Sequence, residues 1–133
     1  MSATAPVLES FGPPVSWARE SDVHEVSWSI ARMLRIVVVS ASDTPTRWME
    51  IHFSYARAAK VLDEGDVQGF LEPWPRDSVL HRVVAGGWVA NSDPRLFNLW
   101  RAERICTEWA VVTRDTCVFV LSNETPFVRE YWS

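Results

Sequence analysis

Three carboxylates fall within four positions at Asp63-Glu64-Gly65-Asp66, inside the stretch KVLDEGDVQGFLEPW that spans residues 60–74. Such a run could hold a cation, divide acid and base work between two groups, steer a basic partner, or form a solvated turn. A calcium loop places oxygen ligands at its positions 1, 3, 5 and 12. Counted from Asp63, Gly65 takes a ligand's place and Trp74 falls at the twelfth position, so that pattern is absent. Acid–base catalysis by paired carboxyls needs the two held in unlike environments, whereas neighbouring acids on one exposed turn share solvent. A plain turn and a partner-facing patch are what remain. The patch gains from its company, because Phe70, Leu71 and Trp74 follow at once. Acidic groups rimming aromatic anchors both steer a basic partner and hold it. The candidate contact set is therefore Asp63, Glu64, Asp66, Phe70, Trp74 and Trp88, with Trp132 as a further possible anchor.

Other chemistry is poorly supplied. Nucleophilic catalysis asks for a Ser, Cys or Thr beside a base that a third group orients, and His24, His52 and His81 are the only histidines. None lies in a nucleophile motif such as GxSxG. His52 shares a strand face with Glu50, where a surface hydrogen-bonding pair accounts for it better than a base does. Gly86-Gly87 is followed by Trp88 rather than by a Lys-Ser/Thr pair, so a phosphate loop is not expected and a turn needing positive φ is. Cys106 and Cys117 lack CxxC or Cys/His spacing, which argues against zinc. They could face each other across a hairpin, but two buried thiols are the simpler reading.

The totals set bounds on partners and class. The chain has 133 residues, is 47% hydrophobic and 23% charged, and suits one domain with one core. A net charge of −4 disfavours nucleic acid and anionic membranes and leaves a basic protein as the better partner. The start MSATAPVLESFGPP lacks a basic and apolar leader, and no apolar run approaches a membrane span, so a cytoplasmic location is expected. Eight tryptophans exceed the needs of a domain this size, so the core is aromatic or some of them mark a contact surface, including a possible homodimer face.

The elements that must carry these residues are mostly strands. Residues 1–14 hold three prolines and read as a flexible lead-in, with a single globular domain over 15–133. EVSWSI alternates as a half-buried strand from Glu25, and LRIVVVSA from Leu34 is apolar on both faces, as a central strand would be. Across a Ser-Asp-Thr-Pro-Thr turn, RWMEIHFSYA puts Met49, Ile51, Phe53 and Tyr55 on one face and Trp48, Glu50, His52 and Ser54 on the other. ARAAKVLDE is ambiguous, since its alanines favour helix and Lys60-Val61-Leu62 favours strand. VQGFLEPW reads as a helical turn stopped by Pro73, and SVLHRVVA as a strand stopped by Gly86-Gly87. Asp93-Pro94 has the form of a helix start leading into RLFNLWRAER. RICTEWAVVT and TCVFVLS form a hairpin around Arg114-Asp115, followed by FVREYW. Core packing is the expected place for Trp28 and Trp109. The pattern predicts an α+β fold with β predominant, a mainly antiparallel sheet of about six strands with one or two short helices on it.

The segments VLDEGD, AGGW and TEWAVVTRDTCVFVLSNETPFV carry a resemblance. The chain resembles a group of small bacterial proteins in which a strand runs into LDEGD, a GGW follows, and a D-x-C-V-x-V-L-S hairpin closes the chain. The matching residues are Leu62 to Asp66, Gly86 to Trp88, and Asp115 to Ser122. Such proteins are similar to the immunity proteins of polymorphic toxin, contact-dependent and type VI secretion systems. The resemblance implies an inhibitor that occludes a cognate toxin domain, with no catalysis, no cofactor and one tight protein partner. Two other classes stay open: a small enzyme or ligand-binding domain with a pocket against the sheet, using Glu50, His52 or His81, and a homo-oligomeric structural subunit.

Overall fold

The computed structural model describes residues 7–12, 14–29, 33–40, 46–63, 78–90, 106–114 and 116–132. Alternating and β-branched segments form nine strands: β1 Val7–Ser10, β2 Ser21–Trp28, β3 Leu34–Ser40, β4 Arg47–Phe53, β5 Ala56–Asp63, β6 Leu80–Ala85, β7 Thr107–Val112, β8 Thr116–Ser122 and β9 Phe127–Trp132. They pair antiparallel throughout, as a five-stranded sheet ordered β1-β6-β7-β8-β5 and a four-stranded sheet ordered β2-β3-β4-β9.

The expected α+β class is thereby corrected. Among the described residues the chain is all β, in two sheets rather than one, and its helical content is a single 3-10 turn at Ala18–Glu20. Both the helix expected over 94–104 and the helical turn expected over 67–74 lie outside the described residues. ARAAKVLD, which composition left ambiguous, is β5 and pairs along the whole of β8 from Ala56↔Ser122 to Asp63↔Thr116. Ladder hydrogen bonds and cross-strand packing from a neighbour distant in sequence outweigh a helix propensity worth only tenths of a kcal/mol per residue. Val7–Ser10, within the stretch read as a lead-in, pairs with β6 as an edge strand.

Period-two alternation decides which face each strand buries. Leu34, Ile36 and Val38 of β3 and Met49, Ile51 and Phe53 of β4 meet Leu80, Trp109, Val111, Val118 and Val120 of the five-stranded sheet in one core between the sheets. Trp109 is its aromatic hub, with Phe11 edge-on at 4.9 Å and Phe53 at 6.4 Å between ring centroids. Val15 and Trp17, just before the 3-10 turn, are buried in the same core. The opposite face of the five-stranded sheet is also apolar: Ala110, Val112, Cys117 and Phe119 are buried there, with Leu8, Leu62, Val83 and Trp88 packed on them. That two-sided burial explains why the strands of the last hairpin read as continuous apolar runs. Trp28, expected in the core, is instead 46% exposed, because β2 is an edge strand and Trp28 stands at its end. Tyr55 leaves the Met49, Ile51 and Phe53 face for the same kind of reason: it falls in the turn between β4 and β5 and is exposed.

Candidate functional site

The four-stranded sheet has one face in the core, and its other face is polar and aromatic. Strand parity puts Arg35 and Val37 of β3, Trp48, Glu50 and His52 of β4, and Phe127, Arg129 and Tyr131 of β9 on that outer face. A bulge between Val23 and Glu25 of β2 places His24 and Glu25 beside them. Register then sets the neighbours, with Glu50 opposite both Val37 and Arg129, and Trp48 opposite Tyr131.

Glu50 is the hub. Its side chain is only 8% exposed, yet three cationic or protonatable groups reach it. Arg35 Nε donates to Oε1 at 2.8 Å, Arg129 Nη2 lies 3.2 Å from Oε2, and His52 Nε2 lies 3.2 Å from Oε1. Arg35 also spans to Glu25 at 3.4 Å, and Ser27 Oγ donates to the same Glu25 oxygen. The hydrogen bond from Arg35 holds the Glu50 carboxyl below its ordinary range despite burial, and the charges of Arg35 and Arg129 act in the same direction. Arg35 is correspondingly raised, chiefly by that same bond. A carboxylate so engaged is a weak proton acceptor, and its effect is to lock two guanidinium groups in place.

An aromatic row runs beside this lattice. Trp48 and Tyr131 stack with centroids 6.1 Å apart and planes 7° apart, His24 meets Trp48 edge-on at 5.2 Å, and the Arg129 guanidinium lies over Tyr131 at 5.0 Å. His52 sits 6.2 Å from Phe127, which is 64% exposed. Ring faces engaged in this way by the protein's own groups do not offer the open stacking platforms that nucleobases need.

A second polar feature lies on the outer face of the five-stranded sheet. Glu108 of β7 is 6% exposed, and its carboxylate accepts hydrogen bonds from two successive backbone amides, Trp88 N–H at 2.9 Å to Oε2 and Val89 N–H at 3.0 Å to Oε1. Gly86 has φ 64°, which lets the chain turn after β6. Gly87 is required for closeness, since a Cβ there would collide with Glu108 Oε2 and lie 2.7 Å from Val83 Cγ1. Burial raises the Glu108 carboxyl above its ordinary value, against the lowering effect of the two amides. Beside it opens a cleft of about 430 Å³ lined by β6, the Gly86-Gly87 turn, Val89, Ala90 and the start of β7.

Of the expected contact residues, Asp63 is exposed at the end of β5, opposite Thr116. Trp88 is half-buried against the Ala110, Val112, Cys117 and Phe119 cluster. Glu64, Asp66, Phe70 and Trp74 lie outside the described residues. Glu50 and His52 do form the expected pair, but His81 is fully buried on β6 opposite Ala110, in the other sheet, so the three do not converge on one pocket. Cys106 and Cys117 are both buried and are not joined in a disulfide. Burial raises both thiols, Cys117 very strongly, so neither is an activated nucleophile. Among the described residues no group of three His, Cys, Asp or Glu side chains is placed to hold a metal, and no helix is long and apolar enough to cross a membrane. Sequence reading missed Glu108, Arg35, Arg129 and Tyr131. Only the polar positions of FVREYW hinted at Arg129 and Tyr131, and that hint needs to know that β4 and β9 are neighbours; no local signal pointed to Glu108 or Arg35.

Comparisons with protein-family models, with curated proteins and with solved structures find no match to this chain.

Proposed function

We propose that this chain is a binding protein whose docking surface is the outer face of the four-stranded sheet, and that its occupant is a protein domain. The observation that carries this reading is the Glu50 lattice, which holds Arg35 and Arg129 beside Trp48 and Tyr131. Trp, Tyr and Arg are the residue types that dominate binding energy at protein interfaces, and they do so best when held rigidly before contact. Exposed Phe127 and Arg129 supply the part that a partner would cover. The finer reading is an immunity protein acting in the cytoplasm, which neutralises a co-produced toxin domain without catalysis or cofactor. It rests on the resemblance in residues 62–66, 86–88 and 115–122. In the fold the described residues of those segments are the end of β5, the clamp around Glu108 and the buried strand β8, so they would identify the scaffold while the contact residues vary.

The test begins with capture of the partner from the source cells, followed by reconstitution of a purified complex. Wild-type protein should bind one partner domain and protect cells that express it, and Trp48→Ala with Arg129→Glu should weaken binding at least about 100-fold, the scale of a lost hot-spot pair. Full binding by that double variant overturns the docking face. A loss confined to Asp63→Lys with Asp66→Lys would move the contact to the acidic run. A partner that is harmless to cells would end the immunity reading while leaving the face intact.

A further inference from the structure

Glu108 poses a problem that the docking face does not solve. A carboxylate buried to this degree is costly in charged form unless a cation compensates it. Two backbone amides do so in part, but of the described residues no cationic side chain bears on it. Among the described residues each oxygen accepts one hydrogen bond, of the roughly four that a carboxylate can take. Among the described residues the lining is mainly apolar, from Val83, Val84, Ala85, Val89 and Ala90, with Cys106, Thr107 and Glu108 completing the wall. Its volume of about 430 Å³ is within the range of small-ligand sites. An apolar hollow with one fixed negative group is complementary to an apolar stem ending in one positive group.

We propose that the cleft between the Gly86-Gly87 turn and β7 binds an alkylammonium group, its hydrocarbon stem against Val83, Val84 and Val89 and its charge paired with Glu108. The backbone clamp aims the carboxylate in advance, so the ligand bears no cost of ordering it. The same chemistry could arrive as a free amine or as a lysine side chain on a polypeptide. The site is on the other sheet from the docking face and does not depend on it.

The test is an amide-resolved NMR titration of the full chain at neutral pH with n-butylammonium chloride. Butanol serves as the neutral counterpart, sodium chloride as the salt control and Nα-acetyl-lysine N-methylamide as the side-chain source. Saturable shifts at the Gly87, Trp88 and Val89 amides with a Kd of about 1 mM are expected for butylammonium, and binding at least tenfold weaker for butanol. Tighter binding of the lysine derivative would assign the source as a polypeptide, and equal or weaker binding a free amine; both uphold the site. Val84→Trp, at a cleft-lining position 58% exposed, should obstruct the cleft and abolish the shifts. Equal binding of butanol, undiminished binding by the Val84 variant, or no saturable shift would each overturn the proposal. Glu108→Gln should remove the preference for the cation, and should it not fold, the Val84 variant and the butanol comparison still decide the matter.

Discussion

Gly86 and Gly87 are adjacent glycines with different reasons to be glycine. The first occupies a left-handed conformation that side chains disfavour, and the second lets the backbone lie against a buried carboxylate. Alanine at Gly87 must push Glu108 or Val83 aside and loosen the two amide bonds. Gly87→Ala should therefore cost about 2–4 kcal/mol, readable by urea unfolding, while Ala90→Gly at the exposed end of the same turn should change stability by under about 1 kcal/mol. Equal effects at the two positions would contradict the close-approach account. The glycine pair was legible in the sequence as a turn. Its second purpose was not, because the partner Glu108 is far along the chain and no local rule links a glycine to a distant acid. Glu50 and Arg129 show the same limit, each reading as an ordinary polar position until the register of two strands places one beside the other.

Strands reveal themselves by period, and most of those described here did. β3, β4, β7, β8 and β9 coincide closely with segments picked out by alternation or by β-branched runs. β5 was open to two readings because its alanines carry little preference and its partner β8 supplies the order. The partition into two sheets was hidden for a related reason: alternation tells which residues share a face but not which strand lies next. The pairings also grade the strands in strength. β7 and β8 are central in their sheet and buried on both faces, whereas β9 is last in the order of the described strands and has an exposed pattern. Hydrogen exchange should accordingly be slowest at the amides of Ala110, Val111, Phe119 and Val120, and at least about 100-fold faster at Arg129 and Tyr131. Protection in β9 equal to that in β8 would show that the two sheets open only together.

At the scale of the whole molecule, two buried carboxylates pull stability in opposite directions with pH. Glu50 is held below the ordinary value of 4.5, so its contribution is present above that value and is lost as pH falls through its folded value. Glu108 is raised above 4.5, so its neutral form is the better tolerated and its contribution is lost as pH rises through its folded value. Glu50→Gln should lower stability at pH 7 by about 1–2 kcal/mol, and the gap to wild type should close as pH drops below the carboxylate range. Urea unfolding across that range measures it, and a gap that stays constant would mean that Glu50 acts through packing rather than charge.

The two thiols make the protein its own clock. Cys106 is 8% exposed at the rim of the cleft, and Cys117 is wholly buried within β8. A water-soluble thiol reagent can reach the first through a small fraying of the β7 end, but it meets the second only when the hairpin at the centre of the sheet comes apart. Labelling would then proceed in two phases, the fast one timing the breathing of the cleft and the slow one timing the unfolding of the molecule, with no residue changed.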